Sequence, residues 1–282
     1  MSHEIRTPIN AVLGYTELME QGIPHPPSED QREYLKRIAR SSRLLISLVN
    51  DVLDFSRIES GRMRLDLGVG SVKDAVLTAV AALEPEATRK GITVTDRCED
   101  LQFEGDQQRV EQILLNLLSN SVKFTGPGGA IVITCSEGST GPVAAGGPLT
   151  STEPAAATAA NQSAQVSANG ANAPRPTTAD SVGQRWVRLD VEDTGVGIEP
   201  EMLQRIFEPF EQGKAGADAP REHGVGLGLA ISQRLAGMMS GVITVQSKRG
   251  EGSHFTLWLP AADGQTEAIK EAPSGEVTSL HL

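Results

Sequence analysis

Apolar residues recur through the first sixty positions at the spacing of a helix face. They fall at Ile5, Ile9, Val12 and Met19, then on two lines at Tyr34, Ser41, Leu48, Phe55 and at Ile38, Leu45, Val52. The first set predicts a helix with Pro8 inside it, and the missing donor and crowded ring of a proline predict a bend there. The stretch GIPHPPSED, residues 22–30, interrupts the pattern with three prolines and ends in capping types, Ser28 or Asp30. A second helix is therefore expected from about Asp30 to Ser60, closed by Gly61. Arg32, Lys36, Arg37, Arg40 and Arg43 fall mostly off the apolar lines. The combined stripe is too wide for one antiparallel partner, which predicts a dimeric four-helix bundle; a hairpin packed on its own domain is the alternative.

After Gly61 the texture changes to short alternating segments. Strands are expected near Arg64–Leu67, Ile92–Thr95, Ala130–Cys135, the run WVRLDVED after Arg185, Val242–Gln246 and Ser253–Leu259. Helices are expected at Val72–Arg89, Asp106–Phe124, Glu201–Ile206 and after the glycines that begin at 224, to Met239. This order predicts an α/β or α+β domain. Residues 139–179 are nearly all Ala, Ser, Thr, Gly, Pro and Asn, with Glu153 and Arg175 the charged exceptions. Such a stretch buries too little apolar surface to offset its ordering entropy and is expected to be a disordered insertion.

Composition narrows the function classes. A net charge of −11 over 282 residues opposes a nucleic-acid footprint, which needs clustered cations. Cys98 and Cys135 are far apart in sequence and outside any CxxC spacing, so neither a disulfide framework nor a structural zinc site is indicated, and a reducing compartment is the default. No apolar run is long enough to span a bilayer.

Three polar elements suggest one ligand. Gln112, Asn116, Asn120 and Lys123 share a face of an otherwise apolar helix, and buried amides there need polar partners such as a hydrated cation with phosphate oxygens. DTGVGI, residues 193–198, follows an apolar strand, and its Gly195 and Gly197 would let backbone approach a flat ligand while Asp193 accepts from an amine. GVGLGLAIS, residues 224–232, frees backbone donors at a helix start for an anion. Between them, Phe207 and Phe210 could anchor a cover, with Lys214 or Arg221 reaching phosphate. Taken singly, a polar surface face, a turn after a strand and a glycine repeat each have ordinary structural explanations.

Together the segments resemble the sensor histidine kinases of two-component phosphorelays. SHEIRTPIN looks like the phosphoacceptor box, NLLSNSVKFT the asparagine box, DTGVGI the first glycine box, FEPFEQ the phenylalanine box, GVGLGLAIS the second glycine box, and GEGSHF, residues 250–255, the turn before the last strand. The resemblance implies an all-α helical hairpin (a dimeric four-helix bundle) over residues 1–62, then an α/β sandwich of the histidine kinase, gyrase and chaperone ATPase type over 63–262, interrupted by 139–179 and followed by a polar tail, 263–282. It implies ATP and Mg²⁺ as cofactors, a homodimer, and a response-regulator receiver domain as phosphate acceptor. His3 would take the phosphoryl group, Glu4 would orient or deprotonate it, and Thr7 would position water for dephosphorylation of the partner. Asn116 and Asn120 would meet metal and phosphate, and Lys123 the phosphates. Asp193, Gly195, Gly197, Phe207, Phe210, Gly224, Gly226, Leu227, Gly228 and Ser253 would hold the nucleotide and its cover. Only Met1 and Ser2 precede His3, so a piece of a longer protein is expected, its upstream sensor region absent from this chain. The location expected is cytoplasmic, within a parent that could be membrane-anchored. A nucleotide-binding dimerisation scaffold with weak catalysis is the alternative.

Overall fold

The computed structural model describes residues 2–139, 141–142, 165–167, 184–211 and 226–262, with residues 2–4 and 165–167 described by backbone only. Most of the 139–179 insertion, the 263–282 tail, Lys214, Arg221 and Gly224 lie outside the described residues.

Two helices open the chain, α1 (Ser2–Glu20) and α2 (Glu29–Glu59). A full capping box fixes the start of α2: the Ser28 hydroxyl accepts from the Gln31 backbone N–H at 3.3 Å, and the Gln31 side chain accepts from the Ser28 N–H at 2.8 Å. Gly61, with φ of +64°, follows the helix in the left-handed conformation that ends such elements at no Cβ cost. The two helices run antiparallel, tied by Arg6 to the Asn50 side-chain Oδ1 at 2.9 Å near one end and by the Arg43–Glu17 ion pair towards the other. Ile9, Leu35, Ala39 and Ser42 are buried in the seam. The expected line Ile38, Leu45, Val52 is instead open to solvent, together with Ile5, Val12 and Met19. Helix α1 runs uninterrupted through Pro8. Proline there removes one donor, to the Glu4 carbonyl, in the first two turns, where the helix has fewest bonds to lose.

The rest forms a two-layer sandwich. Its sheet has six strands in the order β2 (Thr93–Asp96), β4 (Ala130–Gly138), β6 (Trp186–Asp193), β8 (Gly252–Pro260), β7 (Val242–Lys248), β5 (Gln165–Ser167). The β2–β4 pair is parallel and the others are antiparallel. Helices α3 (Val72–Lys90), α4 (Gln107–Phe124) and α6 (Gly228–Met238) cover one face, and α5 (Pro200–Leu203) is a single turn. The core lies between the layers, with Ile113, Leu114, Leu117, Ile131, Ile133, Leu189, Ile231, Leu235, Ile243 and Leu257 fully buried. The helix-facing positions of β6, β7 and β8 alternate apolar at period two (Val187, Leu189, Val191; Ile243, Val245; Phe255, Leu257, Leu259) and turn polar only at the site end, at Asp193, Ser247 and Ser253.

Three expected elements moved. The strand predicted at Arg64–Leu67 is absent, and a strand forms next to it, β1 (Gly68–Ser71), paired antiparallel with β3 (Gln102–Gly105), which the pattern did not predict. Glycine carries that pairing, because the Phe103 ring fills the space a Cβ on Gly70 would need. The Asp106 carboxylate draws residues 63–67 into a loop by accepting the Asp66 N–H at 2.9 Å while also capping α4 through Arg109 N–H at 3.2 Å. The expected Glu201–Ile206 helix shrinks to α5. Strand β5 lies within the expected disordered insertion, where an open sheet edge supplies backbone bonds that composition alone does not register.

Candidate active site

The site forms where the end of β6, the start of β8, the C-terminal half of α4 and the N-terminus of α6 meet. Asp193 is its buried polar centre, with 5% of its surface exposed. Its carboxylate accepts from Gly195 N–H at 2.9 Å, Ser121 hydroxyl at 3.2 Å and Ser253 N–H at 3.3 Å. Burial pushes the carboxyl above its ordinary range; the three donors pull it back, and neighbouring Glu192 adds a smaller upward push. A carboxylate this enclosed keeps fixed orientation and retains accepting capacity for an amine.

Glycine surrounds it for steric reasons that can be named. A Cβ on Gly197 (φ +69°) would strike the Lys248 carbonyl, and one on Gly252 (φ +102°) would strike the Asp193 carbonyl. A Cβ on Gly195 would come within 2.7 Å of both an Asp193 carboxylate oxygen and the Phe124 carbonyl. The turn is pinned by Val196 N–H to the Phe124 carbonyl at 3.2 Å, Gly250 N–H to the Val196 carbonyl at 2.7 Å and Ile198 N–H to the Ser247 hydroxyl at 2.8 Å. A shallow cleft opens beside this turn, bounded by Asp193, Lys248, Gly252 and His254.

Across from the turn, Asn116 donates through Nδ2 to the Gly228 carbonyl and the Ser232 hydroxyl, each at 3.1 Å. Its amide is thereby oriented, leaving Oδ1 as an oxygen donor without a hydrogen bond from a described residue. Asn120, one turn on, and Lys123 are half-buried, and the Lys123 ammonium sits 5.1 Å from the Phe124 ring centre. Among the described residues no side chain caps α6, whose first backbone donors, as at any helix start, have no intrahelical partner. Gly226 (φ +74°) leaves no room for a Cβ against the Glu211 carbonyl.

Several expected residues take different places. Gln112 belongs to a joint with the hairpin, its amide donating to the Asp54 carboxylate at 3.2 Å. Leu227 and Phe207 are core residues by their side chains, so what Leu227 offers a ligand is backbone. Phe210 is 62% exposed and meets Phe55 of α2 edge-on, with ring centres 6.3 Å apart. His3 and Glu4 lie in the first turn of α1, and Thr7 lies in the second. Sequence reasoning passed over Ser121 and Gly252. Ser121 is a hydroxyl on the apolar side of α4, and its one signal was its place in NLLSNSVKFT; Gly252 had the second glycine of GEGSHF.

Residues 1–61 match the His Kinase A (phospho-acceptor) domain family, and residues 157–263 match the family described as histidine kinase-, DNA gyrase B-, and HSP90-like ATPase. The chain is 32% identical over 262 residues to histidine protein kinase DivJ of Caulobacter vibrioides, covering 92% of this chain and 36% of DivJ. It is 32% identical over 287 residues to sensor protein GacS of Pseudomonas syringae pv. syringae, covering 100% of this chain and 27% of GacS. The chain thus spans about a third or less of these curated relatives. Among solved structures it is similar to full-length ShkA in complex with AMPPNP, at 30% identity and a TM-score of 0.63, covering 92% of this chain and 44% of ShkA.

Proposed function

Because this chain belongs to the sensor histidine kinases, we propose that it transfers the γ-phosphoryl group of ATP to His3 and passes it to an aspartate of a response-regulator receiver domain. The observation that carries the reading is the joint between the two parts of the molecule. Arg6, one turn after His3, bonds Asn50 of α2; one turn along α2, Asp54 pairs with Arg109 of α4 at 3.5 Å and accepts from Gln112. The His3 end of the hairpin therefore rests on the helix that carries Asn116, Asn120 and Lys123. The joint sets the start of α1 beside the first half of α4, which supports a transfer in which His3 meets a nucleotide held further along that helix.

The residues present suit ATP and Mg²⁺. Asp193 would accept from the adenine amine, and Gly195, Gly197 and Gly252 keep clear the space a flat base would use. The open donors of α6 and the Lys123 ammonium suit phosphate. Asn116 and Asn120 offer the hard oxygen donors magnesium prefers, and a bound ion would neutralise developing phosphate charge. The imidazole of His3 is proposed to attack the γ-phosphorus, with Glu4 proposed to orient or deprotonate it. Thr7 is proposed to position water when the phosphorylated regulator is hydrolysed.

The exposed line Ile38, Leu45, Val52 with Ile5, Val12 and Met19 supports pairing of two hairpins into a four-helix bundle. The decisive experiment uses γ-labelled ATP with Mg²⁺. Acid-labile, base-stable label on the wild type that is lost in His3→Gln is expected. Nucleotide binding with no phosphohistidine, even when the chain is extended upstream of Met1, would leave a scaffold in place of a kinase.

A further inference from the structure

The fold brings together the two cysteines that the sequence keeps 37 positions apart. Strand β2 pairs with β4 in parallel register, ending at Asp96 opposite Ile133, and Arg97 N–H continues the ladder to the Ile133 carbonyl at 2.9 Å. Two residues further Cys98 leaves the strand and joins the core between sheet and helices, with Cys135 packed against the same core. The Asp96 carboxylate holds the bend by accepting Cys98 N–H at 2.8 Å, and the next amide, Glu99 N–H, is directed at the Cys135 sulfur at 3.1 Å. Neighbouring positions on paired strands lie about 5 Å apart, inside the range of Cα separations a disulfide accepts. Both thiols are free in this structure, Cys98 buried and Cys135 half-buried, and the Cys135 thiol donates to the carbonyl of Glu99, the residue next to Cys98, at 3.5 Å.

We infer that Cys98 and Cys135 are a reversible dithiol–disulfide pair, oxidised by a hydroperoxide and reopened by a small thiol. Cys135, the more accessible sulfur, attacks the peroxide O–O bond, forming S–OH and releasing water. The Cys98 sulfur then displaces that hydroxyl, which leaves as a second water after taking up the Cys98 proton. The two thiols give up two electrons and two protons, and hydrogen peroxide is reduced to two waters. Burial, and then the neighbouring Cys135, push the Cys98 thiol well above the ordinary cysteine range, so Cys98 takes the second step, where the adjacent sulfenic acid offsets scarce thiolate. The Lys73 ammonium lies alongside, bonded to the Asp96 carboxylate at 2.8 Å and the Cys98 carbonyl at 3.2 Å, while the Asp96 charge adds to the upward push on Cys98. In a reducing compartment such a pair belongs to the transient, oxidant-responsive class. Its bond would staple the β2 edge of the sheet to β4.

The test treats the full chain with hydrogen peroxide, blocks remaining thiols under denaturing conditions, and reads intact mass and peptide linkage. The expected product is a monomer lighter by two hydrogens, with one Cys98–Cys135 cross-linked peptide, no alkylation, and full reversal by dithiothreitol. Its melting temperature should rise by about 5 °C or more, because the bond closes a long loop of the unfolded chain. Cys98→Ala should stop at a sulfenic acid on Cys135 that a dimedone probe captures. Cys135→Ala should leave Cys98 unoxidised and alkylatable only after unfolding, so either variant alone decides the matter if the other does not fold. Two alkylated cysteines after peroxide, or stable oxygen adducts on wild-type Cys135, would overturn the inference, as would cross-links only between chains.

Discussion

At the scale of single residues, the chemistry follows which carboxylates keep partners. Asp193 is buried yet held by three donors, while Asp190 shares its oxygens with Arg188, Thr256 and His254. Burial works against the charged form of Asp190, but the bonds from His254, Thr256 and Arg188 outweigh it and hold that carboxyl below its usual range. Asp51 has no such help. Half-buried on α2, it is pushed up to about 6 by burial and by the charge of Asp54, three residues on. Its folded value exceeds its unfolded one, so between about pH 4 and 6 the folded chain holds the extra proton and stability falls as pH rises. Above that window Asp51 is ionised at a continuing cost. Asp51→Asn should therefore raise the melting temperature at pH 7.5 by a few degrees, about 1 kcal/mol once solvent screening is allowed for, and the gain should vanish near pH 4. Thermal melts of both proteins across that range check it; a gain that persists at pH 4 would mean packing, not charge, is responsible. Asp193 could be singled out in the sequence only because DTGVGI, by itself an ordinary turn after a strand, stands in order with the other boxes. Asp51 was not, because its environment is made by Asp54 and by the docking of α2, neither of which a local pattern reports.

Among elements, the hairpin illustrates how periodicity can find a helix and misplace its partner. The predicted lines lie on α2, but the intramolecular seam uses Leu35, Ala39 and Ser42, of which only Leu35 carries a strong hydrophobic signal. The stronger line, Ile38, Leu45 and Val52, is about half exposed, at 45%, 48% and 48%. Burying large aliphatic side chains is worth about 1.5–3 kcal/mol each, so this line outweighs the seam and favours a second hairpin. Leu45→Asp should convert a dimer to a monomer in sedimentation while leaving helical circular dichroism and nucleotide affinity nearly unchanged. A variant that stays dimeric would move the interface off this line. The strands missed by the sequence have the opposite cause. Gly68–Ser71 has almost no apolar content and is a strand only because Phe103 of β3 fills the space over Gly70. Its identity lies in a residue 33 positions away, which alternation within four residues cannot express.

For the molecule as a whole, the question is what holds the hairpin against the sandwich, since transfer depends on their relative placement. Three contacts do so at the end nearest His3. Glu59 pairs with Arg234 of α6, whose guanidinium lies 4.6 Å from the Phe55 ring centre; Phe55 meets Phe210 edge-on; and Asp54 binds Arg109 and Gln112. The cleft between the parts, of about 330 Å³, is lined by Arg6, Asn50, Leu53, Asp54, Arg57 and Gln112 and is strongly polar. Phe55 and Ile58 are the apolar part of this joint, and the rings and charges around Phe55 belong to segments flanking the nucleotide site: Phe210 before the glycine turn at 226, Arg234 on the helix that begins at Gly228. Individual exposed ion pairs contribute little, whereas an aromatic contact with a stacked guanidinium is worth about 1–2 kcal/mol. Phe55→Ala should accordingly leave the ATP dissociation constant within about two-fold and lower the rate of His3 phosphorylation by about ten-fold, the signature of lost positioning. Arg234→Lys, which keeps the charge but loses the flat face over the ring, should give an intermediate loss. Titration with a fluorescent ATP analogue beside single-turnover labelling separates the two quantities. A Phe55→Ala variant that phosphorylates faster than wild type would mean that this joint restrains the reaction it was expected to align.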